Sequence, residues 1–339
     1  MFQTEEQLDD RLTRPSEALT GDLHNGHGDI VVLGAGGKMG PTLCRLARRG
    51  LDAAGRTGDR VFAVSRWSDA AAAHALGEHK IDTVPFDLGE QDLAGLPDAP
   101  NVVFMVGAKF GTAARPGLAW AVNTTLPDRV ARRYPHARIV ALSTGNIYPF
   151  VPVTSGGSRE TDAPGPVGEY AMSCLGRERI LAHAAAARGT AVALLRLNYA
   201  VDLRYGVLAD IGQTVLAGEP VDIRTPLVNV VWQGYANEVI LRALGHAAAE
   251  PFVLNLTGPE TASVRRVASR FAERFGVQPA FAGEEGPTAL LSDAQRCHQL
   301  FGYPAVSLGT LVDWQADWLA AGLPTLGKPT KFTSRDGRF

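Results

Sequence analysis

Short apolar runs rich in β-branched residues alternate with helical stretches of about a dozen residues, and a glycine turn joins the first run to the first helix. Together they predict an α/β fold: a Rossmann-like doubly wound parallel sheet with a smaller C-terminal substrate-binding region. The first run, Asp29-Ile30-Val31-Val32-Leu33, stops in Gly34-Ala35-Gly36-Gly37-Lys38-Met39-Gly40, and a helical pattern follows from Pro41 to Arg49. A strand that ends in such a turn points backbone N–H groups, and the positive end of a helix dipole, at whatever lies there. Glycine lets a pyrophosphate approach closely. Glycine-rich turns also recur as plain βα connections, so the strand before and the helix after carry the argument. Gly34, Gly37, Lys38, Met39 and Gly40 are therefore candidate dinucleotide contacts.

The whole chain bounds the alternatives. Its 339 residues suffice for one large α/β domain or a nucleotide domain with a smaller partner. A net charge of −2 offers no electrostatic footprint for nucleic acid or an anionic membrane. Three scattered cysteines, Cys44, Cys174 and Cys297, form no CxxC or Cys/His cluster. That argues against a disulfide framework or a zinc site and fits a reducing cytoplasm. No apolar run approaches the ~20 residues of a membrane span, and the acidic start is unlike a signal peptide. The expected location is cytoplasmic.

Residues 1–28 form an N-terminal extension. Gln7-Leu8 and Arg11-Leu12 have helical spacing, and Pro15 and the polar stretch from Gly21 to Gly28 are expected to break it. It reads either as a lid or dimer arm or as a packed leader or frayed tail. After the first helix, Arg60 to Arg66 reads as the second strand, ending in Ser65-Arg66. An acidic residue there would bond the ribose 2′-hydroxyl of NAD, whereas arginine accommodates the 2′-phosphate of NADP. No carboxylate appears before Asp69, so NADP is favoured, with NAD possible and a surface arginine as the plain alternative. Thr83 to Leu88 reads as the third strand, with Asp87 and Leu88 at the adenine edge. Asn101 to Gly111 is the fourth strand and its glycine loop, including Val106, Gly107 and Ala108. A helical stretch from Pro116 to Tyr134, kinked or broken at Pro127, carries Asn123. Ala137 to Leu142 is the fifth strand, Glu169 to Arg188 an Ala/Arg-rich helix, and Ala191 to Asn198 the sixth strand. Beyond residue 200 the pattern becomes turn-rich. The expected organisation is a nucleotide-binding domain over 29–200, a mainly substrate-binding region over 201–322 and a polar tail over 323–339.

These residues together resemble the extended short-chain dehydrogenase/reductases, the NAD(P)-dependent epimerases, dehydratases and ketoreductases of sugars and sugar nucleotides. The likeness spans about residues 29 to 320. It rests on the GxxGxxG turn, Asp87-Leu88, Asn123, Ser143-Thr144-Gly145-Asn146-Ile147-Tyr148, Leu195-Arg196-Leu197-Asn198-Tyr199 and Leu254-Asn255-Leu256-Thr257-Gly258-Pro259-Glu260. The resemblance implies cofactor contacts at Tyr170 and Asn198 as well, a sugar-type substrate with or without a nucleotide carrier, and a homodimer paired through helices at 117–134 and 170–187.

In the family a Tyr-x-x-x-Lys pair and a Ser/Thr carry the chemistry, and the match assigns Tyr170 as acid/base and Thr144 as the group orienting the reacting oxygen. A phenol with a reference pKa near ~10 is a poor base at neutral pH, so the lysine's charge matters. Here the fourth residue after Tyr170 is Cys174, which is mostly uncharged near neutrality. Lys109, from the loop after the fourth strand, is the candidate substitute cation. The competing reading is a catalytically silent NADP-binding regulatory or sensor protein. Arg196 is a further candidate for contact to substrate, with a structural role as the alternative, and Arg204 and Tyr205, in the following loop, for contact to a phosphate or carboxylate, with solvated loop residues as the alternative.

Overall fold

The computed structural model describes residues 2–111 and 113–338. Seven parallel strands form the central sheet: β1 (Ile30–Leu33), β2 (Val61–Ser65), β3 (Asp82–Pro85), β4 (Asn101–Phe104), β5 (Arg138–Thr144), β6 (Ala191–Leu197) and β7 (Phe252–Leu256). They lie in the order β7-β6-β5-β4-β1-β2-β3. The register pairs Ile30 with Val61 on one side and with Asn101 on the other. Strand order therefore reverses at β1, which opens a crevice beyond the carboxyl ends of β1 and β4.

Side chains alternate between two cores, as the period of a strand requires. Val32, Val103, Val140 and Leu195 face one apolar cluster, and Val31, Leu33, Phe104 and Ile139 face the other. Two layers of helices cover these faces: α3 (Gly40–Ala53) packs on the first with α9 (Gln233–Arg242), and α6 (Leu126–Arg133) packs on the second with α7 (Gly168–Arg188). Further helices are α4 (Ala70–Glu78), α5 (Pro116–Trp120), α8 (Val207–Leu216), α10 (Val264–Phe275), α11 (Gln295–Phe301) and α12 (Leu308–Ala320).

The N-terminal extension differs from expectation. It holds two helices, α1 (Glu5–Leu12) and α2 (Glu17–His24), each capped by a hydroxyl, Thr4 and Ser16 respectively. The second helix runs through Gly21, where a break was expected. Leu8, Leu12, Leu19 and Leu23 are buried in the first core, and Gly50 leaves room for Leu23 where a Cβ would press on it at 2.6 Å. Packing outweighs the weak helical preference of Glu17–His24.

The stretch 116–134 is also modified. Its irregularity is a π turn over Ala121–Thr125, one turn before Pro127. Pro127 has no N–H to offer the carbonyl four residues earlier, on Asn123, and the turn widens there. That carbonyl instead accepts from Arg177 Nε at 3.4 Å.

Candidate active site

The turn after β1 is shaped by close approach. Gly34 has φ 88° and lies against Val106, which a Cβ would meet at 3.0 Å. A Cβ on Gly40 would run into the Ala35 carbonyl, so only glycine lets α3 start this near the strand. Pro41 sits in the first turn of α3 and no side chain caps it, which leaves the helix start to an external anion.

Beyond the turn is a cavity of about 310 Å³. Gly34, Gly37, Lys38, Met39 and Gly40 form one wall, with Gly107, Lys109, Thr144, Tyr170 and Asn198 across from them. The other expected cofactor residues lie outside this lining. Ser65 ends β2 and Arg66 follows it, exposed, while the Asp69 carboxylate caps α4. Asp87 accepts from Gly89 N–H at 2.9 Å, and Leu88 is buried. Val106 lies against Gly34, and Ala108 belongs to the same loop after β4. Asn123 is fully buried and clamps that loop, accepting from Ala108 N–H and donating to the Ala108 carbonyl, both at 3.0 Å. It holds the wall and does not line the cavity. The Asn198 amide nitrogen is buried with no hydrogen-bond partner, a donor waiting for one. Glycine cradle, uncapped helix start and unsatisfied amide fit a dinucleotide.

Around Tyr170 four groups converge. Burial drives its phenol well above its ordinary pKa and the Cys174 thiol adds to the rise, while a hydrogen bond with Thr144 and the Arg177 charge pull it back. Cys174 is buried, and burial raises its thiol too. Lys109 Nζ lies 5.8 Å from the centroid of the Tyr170 ring and donates to the Thr330 carbonyl at 3.4 Å. Burial, with Lys331 as a like-charged neighbour, lowers its pKa to about 8.

A family model described as the NAD dependent epimerase/dehydratase family matches residues 30–201. The chain belongs to this family. No curated protein sequence matches it. Among solved structures, UDP-glucuronic acid 4-epimerase from Bacillus cereus, in complex with UDP-glucuronic acid and NAD, is 17% identical. Its TM-score is 0.71, over 86% of this chain and 99% of that one. UDP-glucose 4-epimerase from Thermotoga maritima, with UDP-glucose, has TM-score 0.71 and 17% identity over 87% and 99%. dTDP-glucose 4,6-dehydratase from Bacillus anthracis, with NAD, has TM-score 0.72 and 13% identity over 87% and 97%. At these identities the likeness establishes the fold.

In this family member, Arg177 is the cavity residue that motif reasoning passed over. It stands seven residues after Tyr170, on the same face of α7, and lines the cavity. Its guanidinium donates to the Leu142 and Val106 carbonyls and to Asn123 Oδ1, at 2.5, 2.8 and 2.7 Å. The helical repeat from Tyr170 was the signal available. Arg196, by contrast, is structural. It pairs with Glu178 at 2.8 Å, donates to Tyr148 Oη at 2.6 Å, and Tyr148 in turn donates to Asn255 at 2.8 Å. Arg204 is likewise held, by Asp202 at 2.7 Å and Asp9 at 2.9 Å, whereas its neighbour Tyr205 does line the cavity. Among the described residues no cluster of His, Cys, Asp or Glu could hold a metal, and no helix is long and apolar enough to cross a membrane.

Proposed function

We propose that this epimerase/dehydratase-family protein acts on a hydroxyl or carbonyl of a sugar or sugar-derived substrate, with Tyr170 moving the proton. The observation that carries the reading is the Lys109 ammonium 5.8 Å from the Tyr170 ring, in a cavity that the glycine turn also lines. A bound nicotinamide dinucleotide supplies the hydride acceptor or donor. The turn from Gly34 to Gly40 would hold its pyrophosphate, and Asn198 would offer an amide donor. Thr144 orients the reacting oxygen beside the phenol. Lys109 stands in for the missing lysine by favouring the phenolate, and Arg177 adds fixed positive charge from the floor. The similar Bacillus cereus epimerase and Bacillus anthracis dehydratase structures hold NAD. The exposed Arg66 and the absence of a free carboxylate at the end of β2 support NADP for this chain.

The silent-binder reading draws on one observation, that Cys174 replaces the helix lysine beside a phenol whose pKa burial raises. Fluorescence titration with NADPH and NADH, followed by a sugar panel scored for cofactor oxidation or reduction, separates the two. Turnover abolished by Tyr170→Phe supports catalysis. Tight cofactor binding with no turnover on any sugar supports the silent reading, and binding of neither cofactor overturns both.

A further inference from the structure

The cleft continues past the chamber. A second recess shares Asn146, Tyr199 and Leu290 with it, but only about 20 Å³ is open there. Phe332, Ser334 and Gly337 of the chain's own C-terminal segment stand in its wall. That segment is anchored along its course to elements that build the site. Thr330 donates through N–H and hydroxyl to Asp210 Oδ2, at 2.8 and 2.6 Å, and its carbonyl accepts from Lys109. Phe332 packs on the main core. Arg335 donates to the Thr288 carbonyl at 2.8 Å and lies 4.3 Å from the centroid of the Phe150 ring. Gly337, with φ 72°, lies so close to the Val167 carbonyl that a Cβ would not fit, at the start of the helix that carries Tyr170.

The open chamber is cationic. Lys38 and Lys109 line it, and Lys38 Nζ lies 3.2 Å from the centroid of the Tyr205 ring. Lys328 and Lys331, from the same C-terminal segment, are near enough to repel them. The facing carboxylate, Asp210, is engaged by Thr330. A volume of about 310 Å³ is at the low end for a ligand site, and it must also admit the nicotinamide.

We propose that residues 323–338 are a fixed wall of the active site, and that the substrate is a compact anion, a sugar-sized molecule bearing a carboxylate or phosphate without a nucleotide carrier. The proposal rests on the hydride-transfer reading above. Lys38, whose ammonium stands over the Tyr205 ring, and Lys109 receive the anion, while the backbone N–H groups of the glycine turn are left to the cofactor pyrophosphate, and the wall excludes a nucleotide from the recess.

The test uses the full chain loaded with NADPH, with cofactor fluorescence as readout and five probes: glucuronate, glucose 6-phosphate, glucose, UDP and UDP-glucose. Failure to load NADPH or NADH would sink the functional reading and leaves this proposal without its basis; the outcomes below concern loaded protein. One or both compact anions should bind saturably and at least tenfold more tightly than glucose, with the responding probe distinguishing carboxylate from phosphate. UDP and UDP-glucose should not saturate. Lys38→Met should weaken the anion at least tenfold. Phe332→Ala and Arg335→Ala, which loosen the wall at two points, should each admit UDP with at least a tenfold gain. Saturable UDP or UDP-glucose binding to the unaltered chain overturns the proposal. So does glucose binding as tightly as the anions, no compact probe binding, or no gain of UDP binding in either wall variant.

Discussion

Lys109 reaches from the loop after β4 to within 5.8 Å of the Tyr170 ring centroid, although the helix that carries Tyr170 offers Cys174 where a lysine was expected. A cation brought from a different element can do the same electrostatic work, because the interaction depends on distance and burial and not on chain connectivity.

Lys109→Met should lower kcat by about 10²-fold or more, the scale of positioned acid–base assistance. With a pKa lowered to about 8, the ammonium exists below that pH and is lost above it. The wild-type rate should fall as pH rises through 8, and Lys109→Met should lack this limb in a pH–rate profile. A profile unchanged by the substitution would remove Lys109 from the chemistry.

Restoring the helix lysine should rescue the loss. Cys174→Lys in the Lys109→Met background should recover at least about tenfold in kcat, since one cation again favours the phenolate. In the wild-type background the added like charge should move the Lys109 limb below pH 8. Steady-state kinetics of the three variants decides this.

Cofactor choice should follow Arg66. The unaltered chain should bind NADPH more tightly than NADH, and Arg66→Ala should narrow the preference by about tenfold, the loss of one charge-assisted phosphate contact. Paired titrations measure it, and a wild-type preference for NADH would reject the assignment.

Glu178 and Arg196 form an ion pair whose side chains are 5% and 9% exposed. Glu178→Gln leaves the guanidinium buried without its counter-charge and should cost about 3–5 kcal/mol in urea unfolding. Replacing both partners by methionine should cost less than the single change, because no charge is then stranded.

Lys109 also predicts a pH dependence of stability. Its folded pKa, about 8, is below the ordinary lysine value of 10.5, so between them the unfolded chain holds more protons. Its penalty is full below pH 8 and disappears as pH rises toward 10.5. Lys109→Met should therefore be more stable than wild type at pH 7, by about 3 kcal/mol, with the advantage gone near pH 10.5. An advantage that persists there would point to packing instead.

The edge strand Phe252–Leu256 came only with the fold, but by itself the amino-acid sequence determined six of the seven sheet strands, the glycine turn and the helix bearing Tyr170. Each is a local pattern: apolar runs of strand length, glycines required where backbones meet, and a motif read within one helix. Asn123 was legible as a site residue, but its burial behind the Ala108 loop was not, because an amide's partners come from another element. Only the tertiary structure decided that Glu17–His24 is helical, through Leu19 and Leu23 packing over Gly50. It alone brought Lys109 to Tyr170, set Arg177 beneath the cavity, held Arg196 against Glu178 and laid the C-terminal segment across the cleft. These are contacts between residues far apart in sequence. Their free energy comes from burial and charge pairing that exist only once the chain has folded, so no local pattern records them.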